Sequence, residues 1–144
     1  MPHLVIYYTP NLEPAANIGG LCRALADLLL AARDEQDLPV FPPGGIRVLA
    51  FPAAHFALAD GGQVARARGL SDDYAFVYLN LRIGTGRSRR VQEQVGTTLL
   101  QAARAHLAQE FARRPLGLTL QIDAGNEVYD GRHSTLHPLF KPET

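Results

Sequence analysis

Two stretches of the chain show the same succession of hydrophobic patterns: a short apolar run, a segment with helical spacing, and a second short apolar run. In the first stretch, residues 2–8 and residues 46–51 are rich in strand-forming residues and predict two buried strands. Asn11 and Pro14 predict the start of a helix between them, and the helical pattern fades within residues 33–37. The apolar positions of this helix fall on one stripe: Ile18, Leu21, Cys22, Leu25, Leu28 and Leu29.

The second stretch alternates more regularly between apolar and polar positions. Residues 74–83 predict a strand with Ala75, Val77, Leu79 and Leu81 on one face and Phe76, Tyr78, Asn80 and Arg82 on the other. Ser88 is a predicted N-cap, and Pro115 ends the long helix that follows it. Residues 118–122 predict the fourth strand. One side of the helix is predicted to carry Leu99, Leu100, Ala103, Leu107 and Phe111.

These two βαβ units predict one α/β (α+β) domain over residues 1–144. The half-repeats are approximately residues 2–51 and 73–122, and a carboxyl-terminal tail covers residues 123–144. With right-handed crossovers, the units join into one four-stranded mixed sheet with both helices on one face. Phe76 and Tyr78 then lie on the uncovered face, and an apolar face of this kind predicts a homo-oligomer.

Three segments between and after the strands have weaker patterns. Residues 53–72 lack a clear period and predict a loop with room for one short helix. Residues 125–133 predict a polar loop, and residues 136–140 form a short apolar segment that should dock on the rest of the chain.

Composition narrows the possible functions. The 144 residues include 14 Lys and Arg against 14 Asp and Glu, so no net positive field favours binding to nucleic acid or an anionic membrane. The single cysteine, Cys22, excludes an internal disulfide and a cysteine-rich zinc site. The apolar runs are too short to span a bilayer, and the start of the chain does not resemble a signal peptide. We therefore expect a soluble cytoplasmic protein.

Several familiar catalytic motifs are absent. The segment 84–89 begins like a dinucleotide-binding fingerprint but lacks its third glycine, and no Walker A or GxSxG motif occurs. The five histidines show no paired metal-binding spacing. His106 lies at the apolar edge of a helix and is interpreted as a packed core residue, whereas His133 and His137 are predicted to lie at the surface.

Pro2 is a candidate catalytic base. It directly follows Met1, and cells usually remove Met before a small residue. Removal would leave a secondary amine at the head of a buried strand. An α-amino group normally titrates at about 7.7–8.0, which is close to physiological pH. Many chains that begin with Met-Pro nevertheless make no use of the proline.

Arginines are the other candidates. Arg47 opens the second strand, and Arg87 lies between the third strand and the second helix, where helix N-terminal amides also favour an anion. A surface position would equally explain arginines at such places. The lesser candidates are Arg82, Arg89, Arg90 and Arg23, the last on the solvent side of the first helix.

The chain resembles the tautomerase superfamily and, within it, the family of 5-carboxymethyl-2-hydroxymuconate delta-isomerases. The most specific block is residues 73–88, supported by the opening residues 1–3, by residues 41–47 and by residues 136–141. The resemblance spans nearly the whole chain except residues 53–72 and 125–134.

The resemblance implies a trimer built through the exposed sheet faces. It implies isomerisation of the enol 5-carboxymethyl-2-hydroxymuconate to its conjugated 2-oxo acid, in the breakdown of homoprotocatechuate and 4-hydroxyphenylacetate. By motif position, Pro2 would be the base, and Arg47 and Arg87 would bind and polarise the carboxylates of a di- or tricarboxylate substrate. In a trimer, Arg47 and Pro2 of one pocket could come from different subunits. No metal or organic cofactor is implied.

Other interpretations of the sequence remain open at this point. The chain is also compatible with a tautomerase that acts on another 2-hydroxydienoate. A non-catalytic trimeric protein that binds small organic acids, or an oligomer with no ligand, has the same pattern of strands and helices.

Overall fold

The computed structural model describes residues 1–142 and contains the predicted four-stranded sheet. Residues 143 and 144 of the predicted tail lie outside the described residues. The order is β2-β1-β3-β4, with β1 parallel to β2, β3 parallel to β4, and β1 antiparallel to β3. The sheet is therefore mixed, as two joined βαβ units require. Its strands are β1 (His3–Tyr8), β2 (Arg47–Pro52), β3 (Ala75–Ile83) and β4 (Leu116–Ala124).

Both long helices lie on one face of this sheet. Helix α1 packs over β2, helix α3 packs over β4, and the two helices contact each other. The short helix α2 lies within the predicted loop 53–72. The helices are α1 (Ile18–Ala31), α2 (Gln63–Ala67), α3 (Arg89–His106) and α4 (Ala108–Arg113). None of the helices described in residues 1–142 has the length and apolarity needed to cross a membrane.

The core lies between the helices and one face of the sheet. Alternate residues of the two central strands are buried there, as strand periodicity requires. The central strands contribute Leu4, Ile6, Val77, Leu79 and Leu81. The helices contribute Leu21, Leu25, Leu29, Val91, Leu99 and Ala103.

Within residues 1–142, neither long helix covers the opposite face of the sheet, which confirms the prediction of an uncovered face. Tyr7, Leu49 and Phe51 are each about half exposed on it. The Tyr7 ring stacks on Tyr78 at a centroid distance of 6.4 Å and lies 6.0 Å from Phe51 at a tilted angle. We call this face of the sheet the open face; its apolar side chains include Val5, Tyr7, Leu49, Phe51 and Tyr78.

The predicted start of α1 at Asn11 and Pro14 is wrong. Residues Pro10–Leu12 form a 3-10 turn, and α1 begins only after Asn17, whose side-chain oxygen accepts a hydrogen bond from the Gly20 amide at 3.1 Å. The side-chain amide of Asn11 instead donates to Asp73 Oδ1 and to the Tyr74 carbonyl, both at 2.8 Å. Asn11 therefore binds the start of β3 and caps no helix.

The predicted continuous helix up to Pro115 is interrupted. Helix α3 ends at His106, and α4 starts again at Ala108, so the face that is buried changes after Leu107. Phe111, predicted to lie on the buried side, is 40% exposed, whereas Glu110 is buried. Leu100 is half-buried beside β4.

Candidate active site at the amino-terminal end of β1

The three main candidates from the sequence come to one edge of the sheet. Because β1 runs parallel to β2 and antiparallel to β3, the starts of β1 and β2 meet the ends of β3 and β4 there. His3 of β1 pairs with Arg47 of β2 on one side and with Arg82 of β3 on the other. Pro2 precedes β1 and Arg87 follows β3, so both flank this edge.

Pro2 is buried and its backbone is held in place. Its carbonyl oxygen accepts a hydrogen bond from the Arg47 amide at 3.1 Å, which extends the β1–β2 ladder by one residue. Its position in the strand alternation places it on the same side as Leu4, towards the helices. The ring therefore sits at a fixed point of the sheet edge.

The amino terminus lies in surroundings that favour an uncharged amine. Burial lowers the pKa of the terminal amino group of Met1 below its usual range, and the positive charges of Arg132 and Arg87 lower it further. The carboxylates of Glu127 and Asp130 oppose this effect more weakly. A base placed at this end of β1 would be biased towards its proton-accepting form.

Arg87 is the cation that the fold holds most firmly beside this end. Its Nε and Nη2 donate to the Val40 carbonyl at 3.2 and 3.1 Å, and its Nη1 donates to the Gly84 carbonyl at 3.2 Å. The guanidinium carbon lies 4.9 Å from the centroid of the Phe41 ring. Burial lowers the pKa of Arg87, but the ordinary value for arginine is so far above neutrality that the charge is kept.

Arg47 reaches the edge from the other side of the sheet. It shares the alternation of Leu49 and Phe51, so its side chain belongs to the open face, whereas Pro2 lies towards the helices. Its Nη1 donates to the carbonyls of Gly44 at 2.8 Å and Ile46 at 2.9 Å. The structure thus places Pro2 and Arg87 at one end of β1, where the charge of Arg87 acts on the amino terminus, and leaves Arg47 of the same chain on the opposite face.

The lesser arginine candidates lie at the surface. Arg23 pairs with Asp27 along α1, and Arg89 pairs with Glu93 along α3. Arg90 is exposed, and Arg82 lies on the open face 4.0 Å from Glu127.

The carboxyl-terminal tail crosses this edge of the sheet. Its start is attached to the end of β3, because the Gly125 amide donates to the Ile83 carbonyl at 3.2 Å. Its end, the 3-10 turn His137–Phe140, packs on the 3-10 turn Pro43–Gly45 just before β2. Since β4 and β2 are the two outer strands, residues 125–136 pass over the starts and ends of the strands between them. We call residues 125–136 the strap.

His137 is not the surface residue that the sequence predicted. Its Nε2 lies 2.9 Å from Met1 Sδ, and its ring packs against two glycines. A Cβ atom on Gly44 would lie 2.7 Å from Nδ1 of His137 and 2.9 Å from its Cα. Gly45 approaches both the Met1 side chain and the His137 ring. The only sequence signal for this contact was the Gly44-Gly45 pair, which leaves room for another chain segment.

The prediction for His133 agrees with the structure, whereas His106 is only half-buried and is not part of the core cluster. His133 is exposed in the strap. His106 is half-buried, with Nε2 at 2.7 Å from the Ala16 carbonyl and 3.0 Å from the Asn17 carbonyl, so it links the end of α3 to the start of α1. Among residues 1–142, no three His, Cys, Asp or Glu side chains converge in a way that would hold a metal ion.

Comparison with known proteins places this geometry in a wider context. A family model described as 5-carboxymethyl-2-hydroxymuconate isomerase matches residues 2–140. The curated 5-carboxymethyl-2-hydroxymuconate Delta-isomerase of Escherichia coli is 28% identical over 141 residues, which is 98% of this chain and 100% of that protein.

Solved structures extend the comparison. A crystal structure of a 5-carboxymethyl-2-hydroxymuconate delta-isomerase is 54% identical with a TM-score of 0.96, over 100% of this chain and 95% of that one. The 5-carboxymethyl-2-hydroxymuconate isomerase from Deinococcus radiodurans R1 is 34% identical with a TM-score of 0.80, over 98% and 95% of the two chains. A fused 4-OT symmetric trimer, 21% identical with a TM-score of 0.50 over 83% and 85%, shares the fold.

Proposed function

Because the chain belongs to the 5-carboxymethyl-2-hydroxymuconate isomerase family, we propose that it converts the enol 5-carboxymethyl-2-hydroxymuconate into its conjugated 2-oxo acid. The single observation that carries this assignment to particular residues is the buried Pro2 at the head of β1, at the sheet edge where Arg87 is held. Two relatives that are more than 30% identical are named for this reaction.

The proposed base requires that Met1 be removed. While Met1 is attached, the Pro2 nitrogen is part of a peptide bond and cannot accept a proton. After removal it is a secondary amine in the surroundings that lower the pKa of the present amino terminus. A neutral amine at working pH is what a general base needs.

The proposed reaction moves one proton and shifts one double-bond system. The Pro2 nitrogen takes the proton from the 2-hydroxyl group of the substrate and returns a proton to carbon 5. The oxygen at carbon 2 gains negative charge during the transfer and ends as a ketone. A guanidinium beside this oxygen stabilises the charge as it develops.

Arg87 and Arg47 are the proposed carboxylate-binding groups. The planar guanidinium matches a carboxylate with two parallel hydrogen bonds, which a lysine cannot do. Arg87 acts in the pocket of its own chain, where its cation lowers the pKa of the amino terminus. Arg47, on the open face, acts in the pocket of a neighbouring chain.

We also propose that the chain forms a homotrimer through its open face and works in the cytoplasm. The half-exposed Tyr7, Leu49 and Phe51 support the assembly, since such an apolar face favours burial against another copy. The 4-OT relative that shares the fold is described as a trimer. The lone thiol of Cys22 is compatible with a reducing compartment.

The test begins with the intact mass of the purified protein, which should show the loss of Met1. Pro2→Ala should then lower kcat/KM for 5-carboxymethyl-2-hydroxymuconate by at least ~10²-fold, because it replaces the secondary amine of the proline ring, fixed in place, with a primary amine that is free to rotate. Cys22→Ser is the control and should keep normal activity. A normal rate with Pro2→Ala, or with Met1 retained, would refute the assignment of the base.

A substrate panel tests the assignment of the substrate. The protein should turn over 5-carboxymethyl-2-hydroxymuconate faster than 2-hydroxymuconate, which lacks the carboxymethyl group. An equal or higher rate with 2-hydroxymuconate would favour a different substrate. Tight binding without turnover, unchanged by Pro2→Ala, would favour a protein that binds acids without catalysis.

A further inference from the structure

The Met1 side chain occupies a space beside His137 that becomes empty if Met1 is removed. The Met1 side chain fills a slot between Gly45 and the His137 ring, with its Cγ and Sδ close to the position that a Cβ of Gly45 would take. Under the proposed function Met1 is removed, so this slot opens directly beside the Pro2 nitrogen. The slot then lies where a substrate must approach the base.

In the tautomer that carries its proton on Nε2, His137 presents a hydrogen-bond donor to this slot. Within residues 1–142, the hydrogen-bonding partner of His137 Nε2 is Met1 Sδ, at 2.9 Å. A thioether sulfur is a weak acceptor, so removing Met1 costs this nitrogen little and leaves its N–H available. A carboxylate is a much stronger acceptor for the same donor.

The His137 ring is also fixed in place, as a binding group should be. The ring and backbone of His137 pack so closely on Gly44 that no side chain fits there. The Ser134 hydroxyl accepts from the His137 amide at 3.5 Å, and the Leu139 amide closes the following turn on the Leu136 carbonyl at 3.1 Å. Little side-chain freedom is therefore lost when the ring binds a ligand.

The chemistry of the substrate leaves one carboxylate without a partner. Arg47 and Arg87 account for two of its three carboxylates. The Pro2 nitrogen must reach carbon 5 to protonate it, and the carboxymethyl group is attached to that carbon. His137 contacts Met1, the residue bonded to the Pro2 nitrogen. A substrate bound with its carbon 5 at this nitrogen would therefore have the substituents of that carbon near the His137 ring.

We propose that His137 binds the carboxymethyl carboxylate of the substrate through Nε2 and so determines specificity for the tricarboxylate. This inference rests on the proposed function for the identity of the substrate. It adds a residue from the carboxyl-terminal tail to a site otherwise built from the start of β1 and the turn after β3. The packing of the tail on Pro43–Gly45 is what brings this residue to the site.

Two variants separate binding by His137 from a merely structural role. His137→Leu keeps bulk against Gly44 but removes the donor, whereas His137→Gln keeps an N–H donor. We expect His137→Leu to raise KM for 5-carboxymethyl-2-hydroxymuconate about 10- to 100-fold with a smaller effect on kcat, and His137→Gln to recover part of this loss. With 2-hydroxymuconate, which lacks the carboxymethyl group, both variants should match the wild type within about threefold. His133→Leu, in the exposed strap, is the matched control.

A second measurement does not depend on turnover. The ring nitrogens of the five histidines can be followed by NMR while tricarballylate or glutarate is added, since these acids differ by one carboxylate. Tricarballylate should shift the His137 signal, identified by its absence in His137→Gln, more than glutarate does, and should leave the His133 signal in place.

The outcomes distinguish this inference from the proposed function. Equal losses on both substrates with His137→Leu, or a His137 signal that does not respond to tricarballylate, would overturn the role of His137. Loss of activity in Pro2→Ala would at the same time uphold the proposed reaction. If the wild type turns over neither substrate, the reaction is wrong, and the NMR comparison alone decides whether His137 binds the third carboxylate.

Discussion

Arg87 combines a structural and an electrostatic role in one side chain. Its three hydrogen bonds join the loop before β2 to the turn after β3, at the carbonyls of Val40 and Gly84. Its charge also acts on the amino terminus, whose pKa it lowers. A cation that is already held by backbone carbonyls needs no reorganisation when a substrate arrives.

We therefore predict that Arg87→Gln shifts the pH dependence of the reaction. A neighbouring cation destabilises the protonated amine, so its removal raises the pKa of the amino terminus. A smaller fraction of the base is then neutral at low pH, and the acidic limb of a plot of kcat/KM against pH moves to higher pH. The exposed Arg90, changed to Gln, should leave the limb in place. An unmoved limb in Arg87→Gln would show that its charge does not act on the base.

The candidate groups that lie at strand ends could be predicted from the sequence. Pro2, Arg47 and Arg87 are adjacent to predicted strands, so their arrival at one sheet edge follows from the order of the elements. His137 was missed because its position depends on where a tail without regular secondary structure packs. The packing position of the tail depends on the space beside Gly44, which His137 fills, and no local sequence pattern predicts this contact.

Among the elements, the junction between α3 and α4 places a charged cluster inside the protein. Glu110 is 3% exposed, and the Arg114 side chain is 8% exposed. Arg114 Nε lies 3.2 Å from Glu110 Oε2, without the alignment of a hydrogen bond, while its Nη1 donates to the Asn11 carbonyl at 3.1 Å and to Asp73 Oδ2 at 2.6 Å. The cluster thus ties α4 to the turn after β1 and to the start of β3.

We predict that Arg114→Met lowers the free energy of unfolding by about 3 kcal/mol. The change leaves the Glu110 carboxylate buried with one partner fewer, which is a costly way to break a buried pair. Arg113→Met is the matched control, because Arg113 also contacts Glu110 but is half exposed, and it should cost less than about 1 kcal/mol. Urea unfolding at one fixed protein concentration measures both. Equal losses in the two variants would contradict this account of the cluster.

The elements themselves were largely predictable where the periodicity was strong. The alternation along β3 identified its buried residues, because a strand with one covered face repeats every two residues. The start of α1 and the break at Leu107 were not predictable. Asn11 has the residue type of an N-cap but is engaged by Asp73, 62 positions away, and such long-range competition has no local signature.

In a single chain, the apolar side chains of the open face remain partly exposed to solvent. We predict that Leu49→Lys, on this face, shifts the protein from trimer to monomer in sedimentation, since a buried ammonium would have no partner there. Leu38→Lys is the control, because Leu38 is 59% exposed against 53% for Leu49 and lies outside the sheet. A Leu49→Lys protein that stays trimeric would exclude this face as the interface.

The assignment of Arg47 to a neighbouring chain also has a direct test. Pro2→Ala and Arg47→Ala proteins should each be inactive, yet refolding an equal mixture should restore about one quarter of the wild-type activity. In a cyclic trimer, that share of pockets receives an intact Pro2 from one chain and an intact Arg47 from the next. A mixture that remains as inactive as its components would place both residues in one chain.

The contact of Met1 with the tail also determines whether Met1 excision must come before or after docking of the tail. Met1 leaves the ribosome before His137, which lies 136 positions further along the chain. Once the tail has docked, Met1 is half-buried and its sulfur lies against His137. An aminopeptidase has to draw the methionine into its own cleft, so under the proposed mechanism excision comes before the tail docks on Met1. A chain whose tail docks before Met1 is removed would be inactive, so the active fraction of a preparation would depend on the relative rates of tail docking and Met1 excision.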